Sequence, residues 1–312
     1  MRILFMGTPE FSVPCLEAII DGGHTLVGVV TQPDKPKGRG HKLAPPPVKV
    51  SANAHGLEVM QPITLKDNMF LEDLERLKPD MIVVVAYGKI LPKYVLEFSK
   101  YGCINVHASL LPKYRGAAPI QRCIIDGETE TGITTMHMAE GIDTGDMILK
   151  ATTKISKTET YGELHDKLSL MGAELLLKTI KEIEKGTAKR EVQDDSLSNY
   201  APMISKETGL IDWKKPARVI LNQVRGTYPA PLSYTRYKGE DLKIITAESG
   251  EESVKENKEY GKIIGIKNKK LEVACGDGES ILITELQFKG KKRMKVADYL
   301  NGHKIDLNEI LG

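Results

Sequence analysis

Apolar residues in the first half of the chain fall into short runs separated by glycines and polar turns. Residues 3–6 form such a run, ended by Gly7. Leu16, Ile19 and Ile20 follow at helical spacing, and Gly22-Gly23 stops that helix. Residues 26–30 are the next strand and close a β-α-β unit. Residues 81–86 are continuously apolar and rich in β-branched side chains, the pattern of a central parallel strand covered on both faces. Residues 102–106 are another such run, and residues 131–138 and 147–155 add two strand-like stretches. Alternating strands and helices predict an open α/β sheet, doubly wound and mainly parallel.

A long helix comes next. Tyr161, Leu164, Leu168, Met171 and Leu175 recur in steps of three and four and make one apolar face. Thr160 with Glu163 predicts a capping box at its start, and Gly186 predicts its stop. Periodicity then disappears in a polar stretch that contains Asp194-Asp195-Ser196 and Ser198-Asn199. The pattern predicts a first domain over residues 1–189, a linker over 190–205 and a second domain over 206–312. The second domain reads as one helix over 216–224 and five short strands, at 232–237, 242–246, 261–266, 271–274 and 281–288. Close turns rich in Gly, Asp and Lys separate them, which suggests a small antiparallel, OB-like barrel.

Composition narrows the classes. The chain has 312 residues, 41% hydrophobic and 28% charged, enough for two globular domains. No apolar run reaches the roughly 18 residues of a membrane span, and the N-terminus reads as a buried strand, not a signal peptide. Cys15, Cys103, Cys123 and Cys275 form no CxxC pair and read as small core residues of a reducing, cytoplasmic setting. The histidines show no HxxxH or HExxH spacing, so no catalytic metal is expected. Net charge is +2; from Ser205 onward Lys and Arg exceed Asp and Glu by four, a weak bias that permits a nucleic-acid partner.

Three stretches could carry chemistry. In Asn105-Val106-His107-Ala108-Ser109-Leu110-Leu111-Pro112, strand alternation puts Asn105 and His107 on one face. Two polar groups at the end of a central strand sit where open α/β sheets bind ligands, although they could simply cap the strand. In Glu140-Gly141-Ile142-Asp143-Thr144-Gly145-Asp146, two glycines bracket a carboxylate between strands; a plain Asx turn reads the same. The loop Asp34-Lys35-Pro36-Lys37-Gly38-Arg39-Gly40-His41-Lys42 is basic and non-helical, suited either to phosphates or to solvent. Gly7-Thr8-Pro9-Glu10-Phe11 lacks the G-x-G-x-x-G fingerprint, so a dinucleotide site is not supported, even though Asp34 could mimic its ribose-binding acid.

Together these residues resemble the methionyl-tRNA formyltransferase family, nearly end to end. The matching pieces are Met6-Gly7-Thr8-Pro9-Glu10-Phe11, Thr31-Gln32-Pro33-Asp34, Ala86-Tyr87-Gly88, and Asn105 through Pro112. They continue with Arg115-Gly116-Ala117-Ala118-Pro119-Ile120-Gln121, Gly141-Ile142-Asp143-Thr144-Gly145 and Arg225-Gly226-Thr227-Tyr228-Pro229-Ala230-Pro231. The resemblance implies a Rossmann-like catalytic domain, 10-formyltetrahydrofolate as co-substrate, initiator methionyl-tRNA as partner, and an OB-like C-terminal domain that binds tRNA. It further implies that Ser109, Leu110, Leu111 and Pro112 border the folate. The loop around Arg39, with Lys35, Lys37 and Lys42, would reach the acceptor stem, and Lys291, Lys292 and Arg293 would track the tRNA backbone. No obligate protein partner is implied.

The chemistry suits the residues. An amine attacking a formyl carbon leaves a negative oxygen that an Asn amide can stabilise. A histidine can move the protons, and a carboxylate can orient and charge-balance it. Asn105 is therefore expected as oxyanion donor, His107 as acid/base or cationic stabiliser, and Asp143 as its partner. Formylation of a small amine, such as a nucleotide sugar or glycinamide ribonucleotide, would use the same core. A non-catalytic RNA-binding or folate-sensing module would not need all three residues.

Overall fold

The computed structural model describes residues 1–37, 42–250, 259–307 and 309–312. They fall into two compact units, one of residues 1–119, 130–154 and 165–201, the other of residues 120–129, 155–164 and 202–312.

In chain order the N-terminal elements are β1 (Arg2–Gly7), α1 (Val13–Asp21), β2 (Thr25–Val30), β3 (Lys35–Lys37), β4 (Lys42–Ala44), α2 (Pro47–Ala54), β5 (Val59–Met60) and α3 (Leu71–Leu77). There follow β6 (Met81–Val85), α4 (Lys93–Leu96), β7 (Cys103–His107), α5 (Pro119–Ile125), β8 (Glu130–His137), β9 (Met147–Lys154) and α6 (Tyr161–Lys185). The main sheet has seven strands in the order β5-β2-β1-β6-β7-β8-β9. The first five are mutually parallel, β8 pairs antiparallel with β7, and β9 pairs antiparallel with β8. The apolar runs therefore form the doubly wound sheet expected of them, and every residue of β6 and β7 is buried. The reversal at β8–β9 follows from connection length. Residues 138–146 are too few for the dozen or so a parallel crossover requires.

One face of the sheet carries Leu4, Met6, Ile82, Val84 and Cys103, packed with Leu74, Leu77, Val95 and Leu96. On the other, α6 passes so close that a Cβ at Gly172 would lie 3.1 Å from Val106 Cγ1. The capping box at the start of α6 forms as expected: Thr160 N–H donates to Glu163 Oε2 at 2.8 Å, and Glu163 N–H to Thr160 Oγ1 at 3.4 Å. The Thr160 N–H and the Thr160 hydroxyl, which both donate to Glu163 Oε2, hold that carboxyl below its usual range. Gly186 ends the helix at a φ of 68°. The four cysteines are buried.

The basic loop departs from its sequence reading. β3 and β4 pair as an antiparallel ribbon at its base, with Lys35 opposite Ala44. Residues 190–201, which lack periodicity, are not a free tether. Glu191 pairs with Met147, Tyr200 pairs with Arg115, and Gln193 and Ala201 are buried.

The second unit holds α7 (Ala217–Gly226), β10 (Ser233–Tyr237), β11 (Glu240–Ser249), β12 (Ile263–Lys267), β13 (Lys270–Ala274), β14 (Ser280–Phe288), β15 (Met294–Lys295) and α8 (Val296–Tyr299). Its sheet is wholly antiparallel in the order β10-β11-β14-β13-β12, with β15 on β14. Ile220 and Val224 of α7 join Leu242, Ile244, Ile283 and Leu286 in its core. All five strands expected from the turn pattern are present. The stretch Arg225-Gly226-Thr227 earns its place here by structure: the Arg225 guanidinium donates to the carbonyls of Ser156 (3.3 Å), Glu159 (3.1 Å) and Ile124 (3.5 Å), and to Asn222 Oδ1 (2.9 Å). A Cβ at Gly226 would lie 2.7 Å from Ile125 Cγ1. Arg225 thus fastens two early segments, 120–129 and 155–164, to α7. Arg225→Ala should destabilise the protein by about 1–3 kcal/mol, from the loss of charged hydrogen bonds, read as a lower urea midpoint with an unchanged slope. Unaltered stability would mean that water replaces these bonds without cost.

Candidate active site

Along β7 the side chains of Cys103, Asn105 and His107 share a face. Cys103 lies in the apolar core of that face. Two residues further on the core gives way to polar groups, and Asn105 and His107 remain buried, at 8% and 6% exposure. What covers them is the loop of residues 138–146. It leaves β8 level with Ile104, where Met138 N–H donates to Cys103 O, and returns at Met147. Within it Asp143 adopts a φ of 51°, a left-handed conformation that asparagine and aspartate tolerate better than other non-glycine residues. Gly145 is required by close approach, since a Cβ there would overlap the His137 carbonyl oxygen.

The Asp143 carboxylate serves both strand residues. Asn105 Nδ2 donates to Oδ1 at 3.4 Å, and His107 Nδ1 stands 3.6 Å from Oδ2. Gly116 N–H donates to Oδ2 at 2.8 Å. On its other side His107 Nε2 lies 2.9 Å from the Tyr114 carbonyl oxygen. Both imidazole nitrogens therefore face oxygen atoms. The expected trio does converge. Sequence reasoning missed the two backbone groups, Tyr114 C=O and Gly116 N–H. The only signal was Arg115-Gly116 itself, where Gly116 takes a φ of 110° and a Cβ would lie 2.6 Å from the Tyr200 ring.

The turn after β7 is fixed from within. Ser109 Oγ donates to Lys113 O at 2.6 Å, Thr134 Oγ1 donates to Ser109 O at 2.7 Å, and Leu111 N–H donates to Thr134 Oγ1 at 3.1 Å. Ser109 and Leu111 are buried, whereas Leu110 and Pro112 are partly exposed.

The other candidates lie apart from the trio in sequence. Asp34 accepts from Gln61 Nε2 (2.7 Å) and Lys49 Nζ (2.9 Å), which pull its carboxyl below the usual range. It anchors the β3–β4 ribbon and is not a free ribose-binding acid. Lys35 is exposed and donates to Gln32 Oε1 at 2.7 Å, and the Gln32 amide in turn donates to Tyr87 O at 2.9 Å. A cleft of about 200 Å³ beside the ribbon is lined by Thr8, Gln32, Lys35, Pro36, Pro45 and Pro46. Arg39 lies outside the described residues, and Lys37 and Lys42 are described by their place in β3 and β4 alone. In the second unit Lys291 and Lys292 are exposed, but Arg293 donates to Glu285 Oε2 (2.6 Å) and Tyr228 Oη (2.9 Å). Among the described residues no His, Cys, Asp and Glu side chains gather in a group of three that could hold a metal. No helix among them is long and apolar enough to cross a membrane.

Comparison with known proteins places this geometry. Residues 1–180 match the formyl transferase family model, and residues 203–304 match the model of the formyl transferase C-terminal domain. The chain is 54% identical to a methionyl-tRNA formyltransferase of Alkaliphilus oremlandii and 50% identical to one of Acetivibrio thermocellus, with 100% of both chains covered in each case. Among solved structures it shares its fold with an N-formyltransferase from Helicobacter canadensis in complex with folinic acid and dTDP-3-aminofucose. That match has a TM-score of 0.68 at 22% identity, covering 91% of this chain and 98% of that one. It also matches HypX from Aquifex aeolicus in complex with tetrahydrofolic acid, with a TM-score of 0.63 at 18% identity. There 98% of this chain is covered but only 49% of HypX, so the chain spans about half that protein's length. By sequence over its whole length and by fold, the chain belongs to the methionyl-tRNA formyltransferase family of formyl-transferring enzymes.

Proposed function

We propose that the chain moves the formyl group of 10-formyltetrahydrofolate to the methionine α-amino group of initiator methionyl-tRNA, with Asn105, His107 and Asp143 as its catalytic residues. The observation that carries this reading is the single carboxylate, Asp143, in contact with both Asn105 and His107. As the amine nitrogen adds to the formyl carbon, the carbonyl oxygen gains negative charge. A carboxamide nitrogen has two hydrogens; Asp143 engages one of those on Asn105, which leaves the other to donate to that oxygen. The attacking nitrogen must shed a proton and the departing folate nitrogen must take one up. His107, set between the Tyr114 carbonyl and Asp143, is placed to hold positive charge during that exchange. Folate contact falls to the partly exposed Leu110 and Pro112, with Ser109 and Leu111 supporting them from beneath.

Relatives named for methionyl-tRNA, matched over the full length, favour tRNA over a small amine as acceptor. On this reading residues 1–189 form the catalytic domain and residues 206–312 bind tRNA. Lys35, Lys37, Arg39 and Lys42 would meet the acceptor stem. Lys291 and Lys292 would meet phosphates, and Arg293, tied to Glu285, would contribute less.

Asn105→Ala should lower kcat on the order of 100-fold, with substrate affinities changed far less. His107→Ala and Asp143→Asn should show comparable losses. Steady-state formylation of charged initiator tRNA measures all three; near-normal turnover in the set would refute the assignment. A second prediction concerns the acceptor. Arg39→Ala should weaken tRNA formylation and leave folate affinity intact, because a guanidinium can grip phosphate or a base edge with two parallel hydrogen bonds. Tightness for tRNA should fall steeply with added salt as counterions are released. Full tRNA activity in the variant, with no dependence on salt, would point to a small acceptor.

A further inference from the structure

The segment 191–201 bonds to the chain on either side of the trio's backbone partners, at Tyr114 N–H, at Arg115 and at the loop that carries Asp143. Gln193, 8% exposed, donates through Nε2 to the carbonyls of Asp143 and Gly145, both at 2.8 Å. Its Oε1 accepts from Arg115 Nε at 3.0 Å and Nη2 at 2.9 Å. Arg115 Nη2 also donates to Asp195 Oδ1 at 2.7 Å. Both hydrogens and both lone pairs of the Gln193 carboxamide are thus engaged. Further along, Asn199 accepts at Oδ1 from Tyr114 N–H and at its carbonyl from Arg115 N–H, the latter at 3.0 Å. One side of Gln193 fixes the loop that presents Asp143; the other fixes the residue between Tyr114 and Gly116, which meet His107 and Asp143.

We infer that Gln193 is a positioning residue for formyl transfer: it locks the Asp143 loop to Arg115 and so holds the carboxylate at the distance from Asn105 and His107 that catalysis uses. This rests on the catalytic reading of Asp143. The left-handed φ of 51° at Asp143 is an uncommon backbone conformation that surrounding contacts can hold in place. Gln193 makes those contacts at the residue's own carbonyl, opposite in function to the Gly116 N–H that holds its side chain. No reacting atom need touch Gln193, so its effect passes through the groups it positions, Asp143 foremost.

The experiment is a double-mutant cycle in the full-length protein. Gln193→Ala removes the lock. Gln193→Glu keeps the size and the Arg115 partner but puts an oxygen against two carbonyls. Each should lower kcat roughly 30- to 100-fold while the KM for tRNA and for the folate stays within about threefold, as for a sub-ångström misplacement of a catalytic group. On an Asp143→Asn background the same changes should cost less than about threefold, because the group they position has already lost its role. Melting curves accompany each variant. Near-normal kcat at position 193 with an impaired Asp143→Asn would overturn the inference alone. Equal losses on both backgrounds would also overturn it, since general loosening of the fold acts that way. An unimpaired Asp143→Asn would instead sink the catalytic reading beneath it.

Discussion

The Asp143 carboxylate joins three pieces of chain that otherwise have little reason to meet. Its Oδ2 accepts from Gly116 N–H and faces His107, and its Oδ1 accepts from Asn105. The side chain is only 16% exposed, so water supplies few of its bonds. A hydrogen bond to a charged group contributes about 1.5–3 kcal/mol, and a buried carboxylate stripped of partners costs more than any one of them returns. The loop at 138–146, the turn at 114–116 and the end of β7 are therefore bound to a common arrangement. The imidazole completes it from the opposite side, where the Tyr114 carbonyl takes its other nitrogen.

That arrangement depends on what happens along one strand. β7 is buried on both faces, and the face of Asn105 and His107 continues the apolar core that holds Cys103. A polar pair can be buried there only if something polar covers it. The antiparallel turn at β8–β9 supplies the cover, because a short hairpin connection must fold back near its own strands, whereas a crossover helix would present an apolar stripe. Formyl transfer needs a donor aimed at a developing oxyanion and a ring that can hold charge, both away from bulk water. On the catalytic roles proposed for Asn105 and His107, the mixed direction of the sheet serves the chemistry.

Much of this was legible in the sequence. Period and run length marked β1, β2, β6 to β9, α6 with its capping box, and the five strands of the second unit. Alternation placed Asn105 and His107 together, and glycines on either side of Asp143 marked its loop. What escaped is what periodicity does not encode. Short helices such as α3 and α4 carry too few residues to show a repeat. The β3–β4 ribbon hides in a run of Lys and Pro that reads as loop. Gln193 sits in a polar stretch that resembles a tether, yet its carboxamide is fully engaged within the first unit. Tyr114 acts through its carbonyl, a group every residue has, so no side-chain pattern could single it out.

Gln193 and Arg225 show the same physics in different units. Each lies beside chain outside the sheets, and each supplies several donors to backbone carbonyls there from one side chain. A buried carbonyl without a donor is costly, so a compact domain that includes irregular segments must place polar side chains against them. Such residues look like surface or linker in a linear reading because their partners are backbone atoms far along the chain. Arg225 serves segments some 65 to 100 positions earlier, and Gln193 serves a loop some 50 positions earlier. The difference between them is what hangs on the carbonyl they hold. The segments beneath Arg225 carry only structure. The carbonyl beneath Gln193 belongs to the residue whose carboxylate reaches Asn105 and His107, which is why the proposed catalytic role of that carboxylate draws Gln193 in with it.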